Sequence, residues 1–202
     1  EMPKPFIIPA TGVVDYQYIP IEINGGQGFP EDRWIEAIES VPGAPEVVHH
    51  MQVHEFHGKV LGGKIDPIQQ LLHYGLSVDT ARLIGSYTPG NLDENARIYS
   101  KFMTGEGSAA MKLRRGCNLL LEMHYTTNGK ETQDRSAVAI RFAKKPPDTV
   151  IETWFPFRKR PDMVIPANTA DHSLQDRYHF GSKTNGKAIL LHGVRPHLHT
   201  RG

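Results

Sequence analysis

The chain has 202 residues, with 23 basic and 22 acidic side chains and a formal net charge of +1. That balance removes the electrostatic ground for a nucleic-acid or anionic-membrane partner. No apolar run approaches the roughly 20 residues of a membrane span. At roughly 100–200 residues per domain, the length suffices for one full domain and part of a second.

Fifteen prolines and nineteen glycines, scattered along the chain, favour many short strands with turns over a helical bundle. Residues 12–23 mix β-branched and aromatic side chains and read as a strand, which Pro20 places at an edge or a bulge. Residues 31–39 fit a helical face about as well as a strand, and Val41-Pro42-Gly43 then marks a turn. Residues 46–56 return to strand character and carry His49 and His50. Residues 58–79 are looser and read as a surface excursion, with room for a short helix. A strand is expected over 81–87, ending at Pro89-Gly90, and the strongest strand runs from Asn118 to Tyr125, with Met111 to Gly116 leading into it. Asn128-Gly129 is the clearest hairpin signal, followed by a strand over 136–143. Lys144-Lys145-Pro146-Pro147-Asp148 is the best linker, dividing a first domain, 1–145, from the start of a second, 146–202. Residues 150–157, 177–180 and 188–194 read as strands of that second unit.

Cys117 is the only cysteine, so no intrachain disulfide can form. Flanked by Asn118-Leu119-Leu120-Leu121, it reads as a buried small hydrophobe rather than a nucleophile. Cysteine usage fits a cytosolic protein and an exported one alike. The chain has no G-x-S-x-G elbow, P-loop or dinucleotide-binding glycine fingerprint, so acyl transfer, nucleotide hydrolysis and hydride transfer lack support.

Histidine is where chemistry concentrates. His197 and His199 are two apart, so in a strand both imidazoles share a face and can reach one ion. Two ligands leave room for a third and for the open position that catalysis needs. On spacing alone, a half-buried polar pair at a strand end is an equal reading. His49 and His50 are adjacent, and adjacent residues of a regular strand face opposite ways, so both reach one ion only at a bulge or strand end. His124, from another strand, would complete an all-imidazole set suited to copper or zinc. His54, His57, His73, His172 and His179 read as packed or solvated, and His192 is held in reserve as an accessory ligand.

Three segments, Val48-His49-His50-Met51, Leu121-Glu122-Met123-His124-Tyr125-Thr126-Thr127-Asn128-Gly129 and Pro196-His197-Leu198-His199-Thr200-Arg201-Gly202, occur in the order seen in copper type II ascorbate-dependent monooxygenases. The chain resembles that family, which includes peptidylglycine α-hydroxylating and dopamine β-monooxygenases. Its tail, with Gly12-Val13-Val14-Asp15-Tyr16-Gln17-Tyr18 and Glu31-Asp32-Arg33-Trp34-Ile35, looks closer to bacterial relatives of these enzymes. The resemblance implies an all-β fold: an antiparallel jelly-roll β-sandwich domain followed by the start of a second. It tips residues 31–39 towards strand.

Carried over by position, His49, His50 and His124 resemble the ligands of an electron-donating copper. His197 and His199 resemble two ligands of an oxygen-binding copper, whose third, a methionine, is expected beyond Gly202; Met163 does not match it. The implied activity is a copper-dependent monooxygenase, an oxidoreductase that hydroxylates a C–H bond with dioxygen. Ascorbate, or another donor such as an electron-donor protein, would be the reductant. The substrate would be a small molecule or peptide, the location periplasmic or extracellular, and this stretch alone inactive. Two other readings compete: a non-catalytic copper-binding or electron-relay module, and a structural β-sandwich with incidental histidines.

Overall fold

The structure, a computed structural model, describes residues 1–57, 60–61, 64–65, 81–90 and 108–153, then 164, 166–169, 172–173, 175, 177–191 and 193–194. By its contacts the chain divides into two units, Glu1–Trp154 and Phe155–Gly202.

The first unit is an all-β sandwich. Its strands are β1 (Phe6–Ile8), β2 (Gln17–Ile21), β3 (Arg33–Val41), β4 (Val48–Phe56), β5 (Val60–Leu61), β6 (Lys64–Ile65), β7 (Ala81–Tyr87), β8 (Ala109–Leu113), β9 (Asn118–Tyr125), β10 (Thr132–Asp134), β11 (Ala137–Phe142) and β12 (Thr149–Ile151). One four-stranded sheet has the order β2-β9-β4-β7 and the other β11-β3-β8-β12, while β1-β10 and β5-β6 form separate pairs. All pairings are antiparallel except β12 with β8. The core lies between the two four-stranded sheets. Met51 and Val53 of β4, Leu119, Leu121 and Met123 of β9 and Ile84 of β7 pack in one cluster with Ile35 and Ile38 of β3 and Met111 and Leu113 of β8. Alternation along β9 is the reason: its odd-numbered residues enter the core, which leaves Glu122 and His124 on the opposite face.

β3 resolves the ambiguity over residues 31–39. Its register jumps from Ala37↔Arg141 to Ile35↔Phe142, so Glu36 is an extra residue. The bulge brings Ile35 and Ile38, three apart, onto one buried face, which imitates helical spacing in a strand. Pro20 lies on β2, the edge of its sheet, where a missing N–H costs no ladder bond.

Several expectations change. Asn128-Gly129 makes a turn, with Gly129 at φ +88°, but it is not a hairpin turn. β9 is already flanked by β2 and β4, so the chain leaves its sheet, and β11 pairs with β3 in the other. The expected lead-in, Met111 to Gly116, begins inside β8 (Ala109–Leu113), a strand of that opposite sheet. β12 also joins that sheet, so the first unit runs past the 144–148 linker to Trp154. In the second unit, residues 177–180 are not a strand, nor are the described residues of 188–194. One helical turn, α1 (Gly181–Thr184), is the only regular element among the described residues there. Ile189, Leu190, Leu191 and Val194 are exposed, and a strand-like sequence forms no ladder without a neighbour to pair with.

Gly28 shows how tightly the first unit closes. At φ +81° it packs against the β8–β9 turn, and a Cβ would collide with the Gly116 backbone and come within 2.7 Å of the Cys117 carbonyl oxygen. Two backbone bonds, Gly116 N–H to Phe29 O at 2.7 Å and Phe29 N–H to Cys117 O at 3.0 Å, prevent retreat. Gly28→Ala is expected to cost about 2 kcal/mol or more in urea unfolding, with the m-value unchanged.

Candidate metal centre

β4 and β9 are neighbours, and His50 and His124 are direct cross-strand partners. Val48 pairs with Tyr125 and His50 with His124, so the register shifts by one and His49 is the extra residue on β4. This is the bulge that an adjacent pair of ligands requires. Both rings therefore lie at one end of the sheet, on the face turned away from the core.

The three imidazoles converge. His49 Nδ1 and His50 Nδ1 are 3.1 Å apart, and the His124 ring centroid lies 4.9 Å from that of His49 and 5.0 Å from that of His50. One nitrogen from each ring falls within 4.8 Å of the others. Two nitrogens held about 2.0–2.1 Å from a common ion at a tetrahedral angle sit roughly 3.3 Å apart, close to the His49–His50 spacing. An all-imidazole set suits zinc, copper, iron or nickel. The residues fit a transition-metal ion. His50 is buried, His124 half-buried and His49 exposed, so the trio is anchored on the protein side and open on the other.

Tyr16 sits against the trio. Its ring stacks on His124 at 4.5 Å with a 17° interplanar angle, and lies 5.7 Å from His50. Sequence reasoning missed it, because an aromatic residue leading into a strand reads as ordinary packing.

Further along the same face, His54 Nε2 meets Glu122 Oε2 at 3.1 Å, both side chains largely buried. His54 thus has a carboxylate partner and stands apart from the trio. His57 Nε2 bonds Glu55 Oε1 at 2.9 Å. His172 and His179 are exposed. His73, Met163, His192, His197 and His199 lie outside the described residues.

A second grouping, Glu55, His57 and Cys117, has metal-ligand residue types, but the Glu55 oxygens are already engaged. The Arg82 Nε donates to Oε2 at 3.0 Å, a second Arg82 nitrogen donates to the same oxygen, and Arg114 and His57 donate to Oε1. Two guanidiniums beside one carboxylate make this an ion-pair centre hostile to a cation. Cys117 is fully buried, and desolvation, followed by the nearby Glu55 charge, pushes its thiol up to about 12. That is an inert thiol.

No protein-family model matches the chain, and no curated protein matches it.

Burial raises the Glu55 pKa, but the Arg82 charge and the hydrogen bonds from His57, Arg114 and Arg82 outweigh it and hold the carboxyl below its usual value of 4.5. A depressed folded-state pKa gives stability that is complete above the unfolded-state value and lost as pH falls through the folded one. Melting temperature should therefore fall as the pH drops below 4.5. Glu55→Gln, which strands Arg82, should cost on the order of 3 kcal/mol near neutrality and flatten that acid limb in a pH series of thermal melts.

Proposed function

We propose that the chain carries the electron-storing metal site of a copper-dependent monooxygenase, an oxidoreductase that hydroxylates a C–H bond of a small molecule or peptide with dioxygen. The observation that carries the reading is the bulge at His49, which gathers His49, His50 and His124 at one point. Three ordered segment matches to the copper type II ascorbate-dependent monooxygenases support it, as does a sandwich fold of the kind that family implies.

His49, His50 and His124 would hold the first copper, and His197 and His199 a second. Bound copper supplies one-electron redox chemistry, with ascorbate or another donor, including a donor protein, as the source of electrons. The chain's own residues do the positioning. His50 and His124 are set by the β4–β9 ladder, His49 by the bulge, and Tyr16 backs the His124 ring. The exposed edge of His49 leaves a side from which electrons or a partner can approach. Copper and oxygen chemistry of this sort belongs outside the cytoplasm, so we assign the protein to the periplasm or the extracellular space. No helix among the described residues is long and apolar enough to cross a membrane.

A second reading, a copper-binding or electron-relay module without hydroxylation of its own, draws on one observation. All three ligands of the trio come from the first unit, so that site needs nothing from the second.

Metal analysis of copper-loaded protein tests the site. His124→Ala should remove one equivalent of tightly bound copper, while His54→Ala, whose ring pairs with Glu122, should leave the stoichiometry unchanged. An unaltered copper content in His124→Ala sinks the assignment. Oxygen uptake with ascorbate across a panel of peptides and amines then separates the monooxygenase from the relay module.

A further inference from the structure

A carboxyl group with no exposed surface lies beneath the metal-binding end of the sandwich. Asp134, the last residue of β10, receives three hydrogen bonds from three places in the chain. Ala44 N–H donates to Oδ1 at 2.9 Å, Tyr125 O–H donates to Oδ2 at 2.8 Å, and Ser136 O–H reaches both oxygens, at 3.1 and 2.8 Å. Burying such a group is costly unless it is fully satisfied, so its presence in an otherwise apolar region calls for a physical reason.

Two of its three donors lead directly to the histidines. Tyr125 follows His124 on β9. Its hydroxyl is held by Asp134, and its ring is stacked on Phe6 of β1 at 5.2 Å, so the residue beside the ligand is fixed at both ends. Ala44 begins the turn into β4. While Asp134 holds its N–H, its carbonyl accepts the N–H groups of both Val47 and Val48, each at 3.1 Å. Val47 in turn accepts from Thr126 N–H at 2.8 Å, which closes the ladder at the point where His49 is extruded. Gly43 N–H bonds Ser136 Oγ at 3.2 Å, a second tie to the same turn. The carboxyl group thus grips both strands that carry ligands, one residue from His124 and through one turn from His49.

We propose that Asp134 is the positioning residue of the metal centre: by tying Ala44 to Tyr125 it locks the β4 bulge in register with β9 and fixes the spacing of the three imidazoles. The inference rests on the copper reading above. A regular strand would turn His49 away from His50, so a bulge that could relax would loosen the site without unfolding the sandwich. Coordination that depends on supporting groups commonly weakens 10- to 100-fold when they are removed.

The test compares the wild-type chain with Asp134→Asn, Tyr125→Phe and Leu113→Ala. Leu113 is buried on β8 in the opposite sheet, so its variant loses stability without touching the Asp134 contacts. Each protein is loaded with Cu(II), and thermal melts, copper affinity by competition and the Cu(II) electron paramagnetic resonance spectrum are recorded well below the melting temperature. Asp134→Asn is expected to bind copper at least about tenfold more weakly, with altered hyperfine splitting. Tyr125→Phe, which cuts one tie and keeps the ring, is expected to shift the spectrum in the same direction by less, and it carries the test alone if Asp134→Asn does not fold. Leu113→Ala is expected to melt lower with a wild-type spectrum. Wild-type copper binding with an unchanged spectrum and affinity in Tyr125→Phe and in any folded Asp134→Asn overturns this proposal alone. No copper in the wild-type protein removes the copper reading and this proposal with it.

Discussion

The site depends on one irregularity, the single-residue register shift where β4 meets β9. Strand geometry sends neighbouring side chains to opposite faces, so a His-His pair in a regular ladder would send one imidazole into the apolar core. Val48 must stay in that core, because it packs with Met51, Val53 and Tyr125. The chain meets both demands by making His49 the unpaired residue, so that Val48 points inwards while His49 and His50 point out together. Placement of His124 then follows from pairing, since it is the direct partner of His50.

A bulge at a strand end lacks the ladder bonds that hold a regular strand, and this structure supplies substitutes. The Ala44 turn, the Thr126 bond to Val47 and the buried Asp134 contacts surround the irregular residue with hydrogen bonds whose partners come from β9, β10 and the segment before β4. At the opposite end of β4, the Glu55 ion pairs with Arg82 and Arg114 join it to β7 and to the β8–β9 turn. β4 is therefore pinned by a polar centre at each end and by apolar packing between them. Such a strand can present a preorganised ligand set, because little conformational freedom remains to be lost when an ion binds.

Two groups of metal-ligand residue types meet opposite fates. The trio is built of imidazoles packed ring against ring, and its exposed member opens it to solvent. The Glu55, His57 and Cys117 group sits beside two guanidiniums, its carboxylate oxygens already filled and its thiol held protonated. Residue type alone does not separate them. Neighbouring charge and the occupancy of lone pairs do.

Much of this was legible in the sequence. Strand-like patterning gave β4, β7, β9 and β11 within a residue or two, proline placed β2 at an edge or a bulge, and adjacency picked out His49 and His50, with a bulge or strand end named as the condition for their convergence. These features are local, set by the period-two pattern and by backbone chemistry. His124 joined the pair as a matching donor on another strand and through the family resemblance. Where the chain goes after Asn128-Gly129, the membership of β8 and β12 in the opposite sheet and the bulge behind the helix-like spacing of Ile35 and Ile38 were not legible, because each depends on which strand occupies the neighbouring position. Tyr16 and Asp134 are of the same kind. Nothing near an aromatic residue or a lone aspartate in sequence tells that its partner is an imidazole, a turn amide or a phenol brought there by another strand. The sequence determined which residues could serve as ligands, and only the tertiary structure decided which of them meet, because pairing register is a property of two strands together and not of either one.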